Sequence, residues 1–222
     1  MNIICEAGCN FSTMEEAFQF IDRSKELGLF ATKFQIFNEA NIKNADPVFW
    51  EFLRSIMLNY KKIEELFNYG KSIDQEVFFT PMYDCINFLE DIGVNYYKIR
   101  YADNMNIALI KTIINTGKPT FMSVGKNYIN YKYQNKKKNQ LYLLYCIPKY
   151  PASVDDYILP KDFRDNFVGI SDHTSSLYVL QNAMKHGVKY FEKHICFTKD
   201  CLEAKWSITF EELKKVLNNK KI

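Results

Sequence analysis

Eight short apolar runs recur along this chain, separated mostly by stretches with helical spacing, and this alternation constrains the fold more than any other feature. The runs are Asn2 to Ala7, Leu29 to Phe37, Gln75 to Thr80, Asn95 to Tyr101, Pro119 to Ser123, Leu141 to Cys146, Phe167 to Ser171 and Val188 to His194. Each has strand length and is bounded by turn-forming or polar residues. The helical stretches carry their own punctuation. Thr13 with Glu16 three residues on reads as a capping box before a helix that ends at Gly28. A second pattern runs from about Pro47 to Tyr69 with a break near Tyr60, and a third from Asp84 to Asp91 ends at Gly93. Met105 to Thr116, a short segment near Ser153 to Phe163, and Ser175 to His186 follow, and Thr209 with Glu212 caps a last helix to Asn218.

Strands alternating with helices at roughly 25-residue spacing argue for a parallel α/β fold. Eight is the number that closes a (β/α)8 TIM barrel, and such barrels typically take ~250 residues. At 222 residues this one is compact, and residues 1–222 read as a single domain. A doubly wound open sheet is the alternative, but no GxGxxG follows a strand, which argues against a dinucleotide site. Between the fifth and sixth runs the rhythm breaks. Lys126 to Gln140 is polar and lacks an amphipathic pattern, so the fifth helix is expected to be shortened or replaced by a loop.

Composition excludes several partners. A net charge of +3 is small for this length, so nucleic acid is not expected; Lys136 to Lys138, beside Tyr128, Tyr131 and Tyr133, reads as a solvated loop. No apolar run reaches the ~18 residues of a membrane span. Glu6 comes too early for a signal peptide. The six cysteines form no CxxC and sit mostly in apolar runs, which points to a reducing, cytoplasmic setting.

Two of the three histidines close apolar runs, and each follows another polar residue by two positions: Ser171 before His173, and Glu192 before His194. Residues i and i+2 of a strand share a face, so adjacent strands would present paired polar groups at one end. Neutral imidazoles on neighbouring strands suit a divalent metal; two satisfied histidines at strand ends is the structural alternative. In a barrel the chemistry gathers at the C-terminal strand ends. Those ends carry Glu6, Lys33, Gln35, Thr80, Lys98, Arg100, Asp103, Ser123, Tyr150, Ser171, His173, Glu192 and His194. Lys33, Lys98 and Arg100, with Ser123 and Ser171, suit an anionic ligand. Glu6 and Asp103 remain for proton transfer or hydroxyl binding, with rim ion pairs as the structural alternative.

Motifs in this order resemble the catalytic barrel of the sialic acid synthase family. The resemblance rests on Ile3-Ile4-Cys5-Glu6-Ala7-Gly8 with Asn10, Lys33-Phe34-Gln35, Phe79-Thr80-Pro81 and Tyr97-Lys98-Ile99. It continues through Gly117-Lys118-Pro119 with Ser123 and Gly125, Tyr150-Pro151, and Ser207 before the last helix. Gly169-Ile170-Ser171-Asp172-His173-Thr174 and Glu192-Lys193-His194 are its most specific parts. It covers nearly the whole chain, without the family's C-terminal antifreeze-like domain. The resemblance implies a transferase in surface carbohydrate biosynthesis that condenses phosphoenolpyruvate with a sugar aldehyde. By it, His173 and His194 would hold Mn2+ or Mg2+, and Lys33, Thr80, Lys98, Ser123 and Ser171 would bind phosphoenolpyruvate. Gln35, Asp103 and Tyr150 would meet the sugar, and Glu6 would be the acid/base. A homodimer is compatible with this picture.

The departures are specific. Phe11 stands where the family has His, and Arg100-Tyr101 replaces a Gly-Ser pair. Asp103 replaces Glu, Pro148 replaces Asn, and Cys201-Leu202-Glu203 replaces Gly-Pro-Asp. The metal and phosphoenolpyruvate half is kept and the sugar half is rebuilt, so an altered acceptor is expected. Arg100 would then take over part of the anion or sugar recognition, with an ion pair to Asp103 as the alternative. A metal-dependent aldolase or lyase on the same barrel, or a non-catalytic sugar-binding paralogue, are the competing readings.

Overall fold

A computed structural model of the chain describes residues 1–43, 45–82, 84–126, 141–161 and 163–218. Its strands are β1 (Asn2–Gly8), β2 (Ala31–Ile36), β3 (Glu76–Pro81), β4 (Tyr97–Ile99), β5 (Thr120–Val124), β6 (Leu141–Cys146), β7 (Gly169–Asp172) and β8 (Tyr190–Cys196). They pair in chain order, all parallel, and β1 also pairs with β8, so the sheet closes into the expected eight-stranded barrel. A two-residue β9 (Ile208–Thr209) pairs with Ile195 and Cys196 at the end of β8. The helices are α1 (Met14–Glu26), α2 (Glu39–Ile42), α3 (Trp50–Ser55), α4 (Tyr60–Ser72), α5 (Ile86–Ile92), α6 (Ile107–Asn115), α7 (Phe163–Asn166), α8 (Tyr178–Lys185) and α9 (Phe210–Asn218). Among the described residues no helix is long and apolar enough to cross a membrane. The expectation for the fifth helix falls on residues 127–140, outside the described residues.

Local chemistry accounts for the helix ends. Thr13 accepts a hydrogen bond from the N–H of Glu16 at 3.2 Å, while the Glu16 carboxylate accepts from Ser12 at 2.6 Å, one residue earlier than a closed box requires. At α9 the box is complete: Thr209 Oγ1 accepts from the Glu212 N–H at 3.1 Å, and the Thr209 N–H donates to Glu212 at 2.7 Å. The break near Tyr60 is real, because Asn59 caps a new helix by accepting from Lys62 at 2.9 Å. Two expected elements are shorter. Ser153 to Phe163 gives only a single turn at Val154–Asp156 before α7, because Ser153 and Asp156 cap each other and close the turn on itself. The fourth strand stops at Ile99 and the chain turns at Tyr101–Asp103, which takes Arg100 out of the strand.

Period-2 alternation divides the core in two. Outward residues such as Ile3, Cys5, Phe34, Phe79, Tyr97, Met122, Ile170 and Phe191 pack beneath the helices. Inward residues Ile4, Ala31, Phe78, Phe121, Leu144 and Tyr190 form a separate core inside the barrel. The Phe121 ring lies 4.9 Å from Tyr190 and 5.8 Å from Phe78, so aromatic side chains fill the barrel below the site. At Gly169 strands β7 and β8 come so close that a side-chain carbon would sit 2.2 Å from the Tyr190 carbonyl oxygen. That approach explains the glycine that opens the Gly169-to-Thr174 motif.

Candidate active site

Two residues further along, the inward positions turn polar on every strand but β6. Glu6 of β1, Lys33 and Gln35 of β2, Thr80 of β3, Lys98 of β4, Ser123 of β5, Ser171 of β7, and Glu192 and His194 of β8 line one cavity of about 380 Å³. Arg100, Tyr101, Pro148, Tyr150, His173 and Glu203 complete its wall. Every candidate residue read from the sequence lies there except Asp103, which sits just outside and pairs with Arg100.

The floor is a buried network of opposite charges. Glu192 accepts from the Ser171 hydroxyl at 2.8 Å and lies 3.3 Å from Lys98 Nζ and 3.7 Å from Lys33 Nζ. Lys98 donates to Ser123 at 2.7 Å, and Lys33 donates to Thr80 at 2.8 Å and contacts Glu6. Glu6 also accepts from the Gly8 N–H at 2.7 Å and from Gln35 at 3.3 Å. Burial lowers Lys33 to about 7, Glu192 opposing that shift and Lys98 adding to it. Burial pushes the Glu192 carboxyl up, but Lys33 and Lys98 outweigh it and hold Glu192 below the ordinary carboxylate range. One oxygen of Glu192, Oε2, is buried with no hydrogen-bond partner. The two lysines, with Ser123, Ser171 and Thr80 beside them, make a donor-rich floor suited to an anion.

Above the floor the two imidazoles face each other with ring centroids 5.4 Å apart. The His173 Nδ1–H donates to the Ile147 carbonyl oxygen at 3.0 Å, which leaves Nε2 with a free lone pair. His194 Nδ1 lies 2.8 Å from Glu203 Oε2, and its Nε2 is the nitrogen left over. Imidazole nitrogens turned to one cavity are donors that suit a divalent ion. No arrangement of three or more His, Cys, Asp or Glu side chains suited to a metal occurs among the described residues. His173 and His194 would be the residues to hold such an ion, and it would supply Lewis-acid chemistry.

Burial first, then His194, lowers His173 from 6.5 to about 3. Between those values the unfolded chain binds a proton on this ring and the folded protein does not, so stability must fall as pH drops from 6.5 toward 3. Urea unfolding measured at steps from pH 7 to pH 4 should show this slope, and His173→Gln should flatten it. Identical slopes for the two proteins would contradict a buried neutral ring.

At the rim Arg100 lines the cavity and also makes the ion pair that was the alternative for it. It lies past the end of β4, its side chain is 38% exposed, and its guanidinium is paired with Asp103. Lys98, two residues before it, is only 2% exposed. Tyr150 stacks over His173 with centroids 4.0 Å apart, and Trp206 packs against Tyr150 at 5.5 Å. Phe11 lies in the outer core against Phe34, away from the cavity.

Two carboxylates carry more of the site than the sequence reading gave them. Glu192 shares the inward face of β8 with His194, and that spacing was the available signal. Glu203 had no such signal, because it arrives from the turn after β8. Asn10 fixes that turn: its Oδ1 accepts from the Glu203 N–H at 3.2 Å, and its Nδ2 donates to Ser207 at 3.0 Å and the Ile195 carbonyl at 2.8 Å. This explains why Asn10 and Ser207 belong to the motif set. The alternate positions of the same motifs are structural. Asp172 and Lys193 face outward and form a fully buried ion pair at 2.7 Å, with Thr174 Oγ1 donating to Asp172 at 3.2 Å.

A family model described as the NeuB family matches residues 20–221. Over 243 residues the chain is 26% identical to the N,N'-diacetyllegionaminic acid synthase of Campylobacter jejuni, covering 96% of this chain and 73% of that protein. It is 28% identical over 229 residues to the synthase of the same name from Legionella pneumophila, covering 89% of this chain and 64% of that one. A crystal structure of N-acetylneuraminic acid (sialic acid) synthetase from Leptospira borgpetersenii superposes with a TM-score of 0.85 at 24% identity, covering 99% of this chain and 82% of that one. That superposition shows the shared barrel fold.

Proposed function

Because the chain belongs to the NeuB family, we propose that it condenses phosphoenolpyruvate with the open-chain aldehyde of an aldose or amino sugar, giving a sugar acid of the nonulosonic type. The observation that carries this reading is the stacking of two layers in one cavity: a lysine and hydroxyl floor, and two bare imidazole nitrogens above it. The relatives are named for synthases of such sugar acids.

In this reading Lys33, Lys98, Ser123, Ser171 and Thr80 hold the phosphate and carboxylate of phosphoenolpyruvate by charge-assisted hydrogen bonds. Glu192 sits between both lysines, 3.3 Å from Lys98 Nζ and 3.7 Å from Lys33 Nζ, and holds them in place until the anion arrives. His173 and His194 would hold a divalent ion, which would supply Lewis-acid polarisation of the acceptor aldehyde; two imidazoles favour Mn2+ over Mg2+. Glu6 serves as the acid/base. Its support is contact with Lys33 on one side and Gln35, facing the acceptor, on the other. Tyr150 and Arg100 border the acceptor. Arg100 is held by Asp103, so acceptor recognition uses the guanidinium edge that this pair leaves free. We read the reaction as cytoplasmic, in keeping with six free cysteines.

Saturating phosphoenolpyruvate should raise the melting temperature, because a ligand at 100 times its Kd adds about 2.7 kcal/mol of stability. Phosphate release with Mn2+, phosphoenolpyruvate and a panel of aldoses and amino sugars should then identify the acceptor. No thermal shift and no phosphate release across the panel would refute the synthase reading. Cleavage of a sugar acid without phosphoenolpyruvate would point to the lyase alternative.

A further inference from the structure

The two imidazoles are held by different devices. His173 is fixed by a backbone carbonyl, which no substitution removes. His194 is fixed by a side chain that has no place in the strand pattern. Glu203 is buried, and its Oε2 lies 2.8 Å from His194 Nδ1. A carboxylate oxygen accepts, so in this contact the ring donates from Nδ1, and Nε2 is the nitrogen without that partner.

The carboxylate is delivered to that spot by a clamp. Asn10 accepts from the Glu203 N–H, and Ser207 donates to the Glu203 carbonyl oxygen at 2.8 Å. Gly8 supplies the room: a side-chain carbon there would lie 2.1 Å from Glu203 Oε2. Gly8, Asn10 and Ser207 come from opposite ends of the chain, and all three bear on one carboxylate.

From this geometry we infer that Glu203 is a positioning residue that sets the tautomer and orientation of His194. The Gly8–Asn10–Ser207 clamp exists to present it. Glu203 thereby turns His194 Nε2 toward the cavity. The inference needs no metal in its first half; only its consequence for ion affinity rests on the reading proposed above. Outer-sphere carboxylates of this kind typically change metal affinity 10- to 100-fold when removed.

The test is nitrogen-15 NMR of the imidazoles in the full-length protein without metal. His173→Gln and His186→Gln variants identify the His194 signals among the three histidines. The unsubstituted protein should show His194 with hydrogen on Nδ1 and a bare Nε2. Glu203→Ala should shift the ring to a mixture with Nε2–H, and Glu203→Gln, which keeps an acceptor oxygen, should restore the Nδ1–H form. If Glu203→Ala does not fold, Glu203→Met keeps the volume without an acceptor and is read the same way. Mn2+ calorimetry should show affinity about 10- to 100-fold weaker for Glu203→Ala, with Glu203→Gln closer to the unsubstituted protein. A His194 that keeps its Nδ1–H form without Glu203, or shows Nε2–H with it, overturns the inference. If the unsubstituted protein does not bind Mn2+, the metal reading fails, and the tautomer result alone still decides the role of Glu203.

Discussion

Replacing His173 or His194 with alanine is expected to abolish metal-dependent sugar-acid synthesis while leaving the barrel folded. Among the described residues two imidazoles would make up the donor set, so losing either would leave a single nitrogen, too few to hold an ion against water. The structural cost at His173 is small. Its ring meets the Ile147 carbonyl oxygen at 3.0 Å, a hydrogen bond worth about 0.5–1.5 kcal/mol net, and makes a long contact with the Cys146 sulfur. His194→Ala should cost more, because it leaves the buried Glu203 carboxylate without its partner. Mn2+ calorimetry and thermal unfolding separate the two effects. A His173→Ala/His194→Ala double variant that binds Mn2+ as tightly as the unsubstituted protein would remove the metal from this site.

Asp172→Ala is expected to do the reverse, lowering stability by about 3–5 kcal/mol with activity per folded molecule retained. Asp172 and Lys193 are the outward neighbours of the two motifs that carry the histidines, and both side chains are fully buried. Burial already lowers the Lys193 ammonium from its ordinary value, Asp172 working against that. Removing the carboxylate leaves the buried ammonium with its hydrogen bond to the Thr174 backbone oxygen and the more distant charge of Glu212. Asp172→Leu combined with Lys193→Met should regain much of the loss, since an apolar pair needs no compensation. Urea unfolding of the singles and the double gives the coupling. A single-variant loss below about 1 kcal/mol would mean that the pair is not held as the geometry describes.

These two predictions concern adjacent residues of one motif with opposite duties, and their division was already legible in the sequence. Alternation along a strand assigns Ser171 and His173 to one face and Asp172 to the other, and likewise Glu192 and His194 against Lys193. The same periodicity gave eight strands, and eight strands with helices between them gave the closed barrel and its polar end. The capping residues Thr13, Asn59 and Thr209 act within a few positions of themselves, so local sequence suffices to locate those helix starts.

Tertiary structure decided what meets what. Alternation gives a face but not a distance, so the sequence did not tell that Glu192 would lie between Lys33 and Lys98, with strand partners contributed from across the barrel. It placed Arg100 inside by extending β4 two residues too far; the turn at Tyr101–Asp103 carries that side chain to the rim, where Asp103 is within reach. Glu203 lies in a turn, where no period assigns a direction. Its approach to His194 is fixed by Asn10, some 190 positions away in the chain, and by the missing side chain of Gly8. Contacts of that kind exist only once the barrel has closed β1 against β8. Local spacing therefore determined which strand residues face the cavity, and closure of the barrel determined their partners and brought in Glu203.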